Sequence, residues 1–316
     1  MLICRRAAPP APTVVSSTMA PGIVWASQDR RSSARCSSAP VRSAWGKVSS
    51  KSSLRGLGGL GLCTLSSLTL VNLGGPRSYT CVMCGRYRLT AKERYLRDHF
   101  GLDDDPTWTP RWNIAPTQQA PIIRQDAKEP RRTFSLARWG LIPYWAKDRS
   151  IGAKAINAMS ESAAEKPTFR EAMKQRRCLV PADAFYEWKK LGPKEKQPYS
   201  IGLRDDSTFA FAGLWERWRD PADKSVVETF TILTIQPNSL VADVYDRMPV
   251  ILSADDYDLW LDPGVNDPVR VADCLKPFDA RLMKKYPVSA RVNRADNDDP
   301  ECAREVTVES SPMTLF

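Results

Sequence analysis

From Met83 onward, short runs of alternating apolar and polar residues, rich in β-branched and aromatic side chains, are separated by turn residues. This period-two pattern predicts strands over 84–89, 121–124, 133–139, 178–181, 184–189, 198–203, 208–214 and 228–235. Apolar residues at helical spacing predict helices over 91–100, 168–174, 239–245, 254–261 and 269–275. Ser253 stands before Ala254-Asp255-Asp256 as an N-cap followed by acids in the first turn. Many short strands and few helices predict one α+β domain over 83–316. An antiparallel, barrel-like sheet would form its centre and helices its periphery.

Residues 1–82 read differently. Ser, Arg, Ala, Pro and Gly dominate without apolar periodicity, so the segment buries too little to offset its ordering entropy. An acid-poor transit peptide, a disordered tail and non-native sequence upstream of a working start at Met83 all fit this composition. The apolar run 59–73 is broken by Ser, Thr and Gly and lies far from the N-terminus, unlike a membrane span.

Charge follows the same division. Residues 1–83 hold ten Lys or Arg and one acid, so they carry nine of the ten net positive charges of the 316-residue chain. The remainder is nearly neutral, so it does not predict a polybasic nucleic-acid surface on the folded part, and any contact there would be local. His99 is the single histidine, so a His-rich metal site is excluded. It sits at amphipathic helical spacing in 95–100 and reads as structural. Four of the eight cysteines lie before Met83, and the others are scattered, which fits a reducing compartment better than a disulfide framework. Cys81-Val-Met-Cys84 has C-x-x-C spacing but no second pair for zinc. Cys178, followed by Leu179 and Val180, reads as a buried strand residue.

Five segments concentrate candidate chemistry: Met83-Cys84-Gly85-Arg86-Tyr87, Trp112-Asn113-Ile114-Ala115-Pro116, Ile156-Asn157-Ala158, residues 181–188 (PADAFYEW), and 245–252 (YDRMPVIL). Singly, each has a plain structural reading. Asn113 and Pro116 shape a turn, Glu187 is the solvent face of a strand, and Asp246 and Arg247 form a surface pair.

In this order, and with Trp139-Gly140-Leu141-Ile142-Pro143 between them, the blocks resemble the SRAP family, the SOS response-associated peptidases or abasic-site processing proteins. The resemblance covers 83–316 and implies the SRAP fold and a mechanism. The initiator Met is lost, and Cys84 as N-terminus forms a thiazolidine crosslink with the aldehyde of an abasic site in single-stranded DNA. A free α-amine has a pKa near 7.7–8.0 against about 10.4 for Lys, so roughly a tenth or more is nucleophilic near neutral pH. The thiol on the same residue then closes a ring intramolecularly.

The resemblance further implies that Asn157 positions the sugar and that Glu187 shuttles protons. Arg86 and Arg247 would meet phosphates, while Asn113, Pro116 and Trp145 would pack beside the lesion. No cofactor or metal is implied, and the partner is abasic single-stranded DNA, bound by a monomer. The setting would be cytoplasmic in a bacterium and nuclear in a eukaryote. A thiol autopeptidase and a non-catalytic single-strand binder remain as alternatives.

Three departures stand out. Eighty-three residues precede Cys84, and while they are attached its nitrogen is an amide. Tyr245 replaces the family's His, and its pKa near 10 makes it a poor proton shuttle, so crosslinking or release is expected to slow. Met159 replaces the family's Arg, with the expected loss of about one phosphate contact.

Overall fold

The computed structural model describes residues 84–126, 128 and 130–308. The expectations for 1–82, including the apolar run 59–73, lie outside the described residues. The described residues form thirteen strands: β1 Tyr87–Leu89, β2 Arg111–Ile114, β3 Gln119–Gln125, β4 Arg132–Trp139, β5 Asn157–Met159, β6 Arg177–Ala182, β7 Ala184–Lys190, β8 Lys196–Leu203, β9 Phe209–Arg219, β10 Val226–Ile235, β11 Met248–Pro249, β12 Ile251–Leu252 and β13 Met283–Pro287. Helices are short and peripheral: α1 Glu93–Phe100, α2 Ser160–Ala163, α3 Arg170–Gln175, α4 Ser239–Ala242 and α5 Tyr257–Leu261. This is the expected α+β domain. Among the described residues no helix is long and apolar enough to cross a membrane.

The strands form two sheets. One has five strands in the order β13-β8-β7-β1-β2. In the other, β10-β4-β3-β6-β9 closes on itself through β9–β10 pairing, giving a five-stranded barrel with β5, β11 and β12 on its rim. Most pairings are antiparallel. However, β4 and β5 both run parallel to β10, with Phe230 opposite Trp139 and Ile232 opposite Asn157. The chain leaves β10 at Gly140 and regains it at Asn157. Gly140 has φ +126°, and a Cβ at Gly140 or Gly152 would collide with the other's carbonyl oxygen, so only glycine permits this close crossing. The crossing sets where Asn157 enters the sheet.

An aromatic core joins the sheets. Tyr87 of β1 packs edge-on against Trp139 and Phe211 at 5.3 and 5.8 Å between ring centroids, and Phe185 of β7 meets Phe211 at 6.1 Å. Such contacts contribute beyond the area they bury. The opposite face of the five-stranded sheet is covered by the chain after β13. There Tyr186, Val288, Val292 and Cys302 form a second small core flanked by Trp112, Trp188 and Tyr286.

The differences from expectation are local. The 254–261 helix begins as a 3₁₀ turn at Ala254–Asp256, and Ser253 holds the cap position without a side-chain cap hydrogen bond. The 269–275 helix is a 3₁₀ segment, Pro268–Cys274, opened by a proline and capped by Asp267. The 239–245 helix stops at Ala242, and the residues beyond it form the loop that carries Tyr245.

The Trp112-Asn113-Ile114 block is a strand rather than a turn. Besides pairing with β1, it is held by the segment after β13: the Asp298 carboxylate accepts from Trp112 N and Asn113 N at 2.6 and 2.9 Å and pairs with the Arg111 guanidinium. The Asn113 amide nitrogen is shared among the carbonyls of Val292, Arg294 and Asn297 at 3.2, 3.0 and 2.7 Å. Replacing Asn113 with Ala strands these buried acceptors, and the expected loss is about 2–4 kcal/mol. Urea unfolding of wild type and Asn113→Ala measures it. A loss below about 0.5 kcal/mol, typical of a surface change, would show that the amide does not tie down the chain end.

Candidate functional site

The site begins with strand register. Tyr87 lies opposite Phe185 and Arg88 opposite Ala184 in the antiparallel β1–β7 pair. Continuing that register past the start of β1 carries Cys84 toward Glu187. Along β7, Phe185 and Glu187 share one face and Tyr186 and Trp188 the other, as a period of two requires. Phe185 faces the aromatic core, so Glu187 faces inward as well and is 2% exposed. The solvent-face reading of Glu187 had the alternation right but the wrong face: both faces of β7 are covered, the second by the chain after β13.

The Cys84 nitrogen donates to Glu187 Oε1 at 2.8 Å. Cys84 is fully buried and has φ +27°, a left-handed backbone that is costly for a residue with a Cβ. From the other side, Asn157 Nδ2 donates to the Cys84 carbonyl at 3.4 Å. Three of the expected catalytic residues are thus brought together through Cys84, whose nitrogen meets Glu187 and whose carbonyl meets Asn157.

Burial dominates the electrostatics. It pushes the Glu187 carboxyl up to about 8, with the nearby Asp246 charge acting in the same direction and the Cys84 and Trp188 N–H groups pulling back. Burial, and then the Glu187 charge, also raises the Cys84 thiol well above its usual range. The pair therefore rests as a protonated acid beside a protonated thiol near neutral pH. A carboxyl in this state can give a proton to, or take one from, the nitrogen it touches.

Tyr245 is half-buried on the loop after α4, and both the helix and the start of the loop are tied down. Asn238 caps α4 by accepting from Leu240 N and Val241 N. Asp243 accepts from Lys189 of β7 and Lys285 of β13 at 2.7 and 2.6 Å, and these bonds hold its carboxyl at about 2.

Arg247 differs from expectation. It is neither one half of a surface pair with Asp246 nor an open phosphate contact. Its guanidinium, 7% exposed, forks onto Glu161 at 2.7 and 2.8 Å and donates to the Thr234 carbonyl at 2.6 Å.

Arg86 is half-buried and donates to the Val292 carbonyl at 2.6 Å and to Asn113 Oδ1 at 3.2 Å. Asn113, expected to pack beside a lesion, is completely buried and cannot face a ligand; its polar atoms are engaged by the chain end. Pro116 is half-buried just beyond β2. Trp145 is 48% exposed beside the still more open Tyr144, in the loop between Gly140 and Asn157. His99 packs against Tyr95, Phe100 and Tyr257, in keeping with its structural reading. Among the described residues no group of three or more His, Cys, Asp or Glu could hold a metal ion.

Sequence reasoning missed Glu161, which engages Arg247, and the 291–299 segment that grips Arg86 and Asn113. It also assigned no role to Asp246, which acts on Glu187. Glu161 carried one signal: it lies two residues after Asn157-Ala158-Met159, in the helical turn Ser160–Ala163.

A barrel rim that delivers an amide to one backbone carbonyl, beside a buried carboxyl set on the nitrogen of a cysteine, defines a protein organised around one cysteine at a strand entrance. The chain belongs to the SRAP family: the family described as SOS response associated peptidase matches residues 83–295. It is 43% identical over 222 residues to "Abasic site processing protein YoqW" of Bacillus subtilis, covering 69% of this chain and 98% of that protein. It is 30% identical over 261 residues to "Abasic site processing protein HMCES" of Gallus gallus, covering 70% and 77% respectively. The crystal structure of a protein from Bacteroides thetaiotaomicron superposes with a TM-score of 0.64 at 28% identity, over 71% of this chain and all of that one.

The buried carboxyl has a thermodynamic signature. Folding raises the Glu187 pKa from about 4.5 to about 8, so the native state holds more protons between these values. Its contribution to stability is complete below about 4.5 and declines as pH rises toward about 8. Urea midpoints measured across that window fall for the wild type, and Glu187→Gln flattens the profile. Parallel profiles for the two proteins would refute a protonated Glu187.

Proposed function

We propose that the chain processes abasic sites in single-stranded DNA by covalent capture at Cys84, acting as a domain over 83–316 once the preceding residues are gone. The observation that carries this reading is the 2.8 Å bond between the Cys84 nitrogen and the buried Glu187 carboxyl. The names of the relatives support it.

With Cys84 as N-terminus, that nitrogen is an α-amine with an ordinary pKa near 7.7–8.0. Burial disfavours both a carboxylate and an ammonium, so the neutral pair of amine and carboxylic acid becomes accessible at neutral pH. The amine lone pair attacks the aldehyde carbon of the ring-opened sugar, and its proton passes to the carbonyl oxygen by way of Glu187. Glu187 then protonates the hydroxyl of the carbinolamine, water leaves, and the nitrogen returns its proton to the Glu187 carboxylate as the imine forms. The thiol adds its sulfur to the imine carbon and its proton to the imine nitrogen, closing the ring without loss of atoms. Asn157 holds the Cys84 carbonyl and so fixes the residue whose two ends react. Exposed Trp145 and Tyr144 offer rings for bases beside the lesion.

The same contact favours one further reading, self-cleavage before Cys84. Glu187 touches the nitrogen that would leave as an amine, and a carboxyl protonated up to about 8 can supply the proton that departure needs. The mass of the full chain and of its Glu187→Gln variant after incubation separates self-trimming from trimming by other means.

The main test is a denaturing gel of protein mixed with an abasic single-stranded oligonucleotide. A chain whose initiator Met83 has been removed is expected to give a band that survives denaturation, whereas a chain retaining residues 1–83 gives none. Glu187→Gln is expected to slow the reaction on the order of a hundredfold or more, the usual scale for a lost acid–base group. Absence of a crosslink from the trimmed protein would defeat the reading.

Tyr245→His restores a side chain that titrates near neutrality beside the site. Crosslinking or release is then expected to accelerate, as read from time courses on the same gels. Unchanged rates of both would show that Tyr245 is no handicap.

A further inference from the structure

Arg247 is the basic side chain nearest in sequence to the Tyr245 loop, yet its hydrogen-bonding edge is already taken. A guanidinium presents its two terminal nitrogens as a fork that fits one carboxylate or one phosphate. In this chain Glu161 occupies both, Nη1 to Oε1 at 2.7 Å and Nη2 to Oε2 at 2.8 Å. Nη2 also donates to the Thr234 carbonyl at 2.6 Å, and Nε is buried without a partner. A phosphate can reach this fork only by displacing Glu161. That displacement is sterically easy, because the Glu161 side chain is 42% exposed while Arg247 is 7% exposed. The carboxylate can swing into water; the guanidinium is fixed by the strand behind it.

The surroundings do not compensate. Position 159, two residues before Glu161 and paired with Thr234 of β10, is Met159 rather than a cation. Arg86, on the other side of Cys84, spends its guanidinium on Val292, Asn293 and Asn113. An undamaged strand therefore finds no uncommitted arginine fork at these positions, and gains little from its phosphates alone.

We propose that Glu161 is a positioning residue for specificity: by holding Arg247 it withholds a phosphate contact from intact single strands, so that retention depends on the chemistry at Cys84. This rests on the DNA-processing reading above. It predicts a direction opposite to that expected if Glu161 merely oriented Arg247 toward DNA. Neutralising Glu161 should strengthen binding to undamaged DNA rather than weaken it.

The test is fluorescence anisotropy of the full-length chain with an undamaged single-stranded oligonucleotide across a salt series. Glu161→Gln is expected to tighten binding roughly three- to tenfold at low salt and to steepen the log–log salt slope by about 0.7, one added phosphate contact on a single strand. Both gains should vanish when Glu161→Gln is combined with Arg247→Gln. Glu161→Ala, which also removes the carboxylate, should repeat the gain and guards against a local fault of the first variant. Weaker or unchanged binding, an unchanged slope, or a gain that persists without Arg247 would overturn the proposal. The denaturing gel keeps the two readings apart. A trimmed wild type that crosslinks abasic DNA while Glu161→Gln gains nothing on intact DNA overturns this inference alone. A trimmed wild type that fails to crosslink overturns the processing reading, whatever Glu161→Gln does.

Discussion

A carboxyl group held in the core against the backbone nitrogen of Cys84 is the constraint around which the rest is arranged. Burying Glu187 is unfavourable for its charged form, and the fold resolves this by keeping it protonated while Cys84 N–H and Trp188 N–H both point at it. Those donors are fixed by register. Tyr87 and Phe185 are locked into the aromatic core, and the chain on either side of them has little freedom to move Cys84 away from Glu187. The left-handed turn at Cys84 adds a local cost that this packing sustains.

Two clamps hold the surroundings, and they come from distant parts of the chain. On one side the residues after β13 grip Arg86, Asn113 and Trp188, the last through a 2.7 Å bond from its indole nitrogen to Asn293. On the other, Asp243 ties the Tyr245 loop to β7 and β13, and Arg247 ties it to β10 and α2. Several polar side chains that look reactive in the sequence are in fact consumed by this holding work. A site that must keep one nitrogen and one carboxyl within hydrogen-bonding reach needs such support, since small displacements forfeit the advantage of proximity.

These clamps mark the limit of what the sequence made legible. The barrel-like α+β class was readable because many apolar, β-branched and aromatic runs, those of β9 and β10 among them, are set apart by turn residues. The Cys84–Asn157–Glu187 grouping was readable because ordered blocks resemble a family. Composition and period could not show which face of β7 is inside: Glu187 alternates with aromatics on a strand covered on both sides, and only the packing of the chain after β13 reveals it. Asn113 misled for the same reason. A single Asn cannot be told from a ligand contact when its three carbonyl partners lie about 180 residues further along. The pairing of Glu161 was not legible, despite its place beside the Asn157 block, because its partner, Arg247, is 86 residues away. β2 was missed because a four-residue strand carries too little periodicity.

The charge distribution closes the argument about how such a protein could select its target. Outside residues 1–83 the chain is almost neutral, so long-range attraction to a polyanion is weak. The terminal nitrogens of Arg86 and Arg247 are engaged internally, by backbone carbonyls and Asn113 for Arg86 and by Glu161 and Thr234 for Arg247. A binder built this way gains little from phosphates, the part of DNA common to every sequence and every state of damage. Under the proposed capture at Cys84, what it would offer instead is a nucleophile whose proton is managed by one buried acid, and an aldehyde is the group that can use it. Whether the nitrogen of Cys84 is an amide or an amine then governs the whole site. As an amide its N–H donates to Glu187 and has no lone pair to attack with; under the proposed capture, an amine at the same place would meet the same carboxyl and become the attacking group.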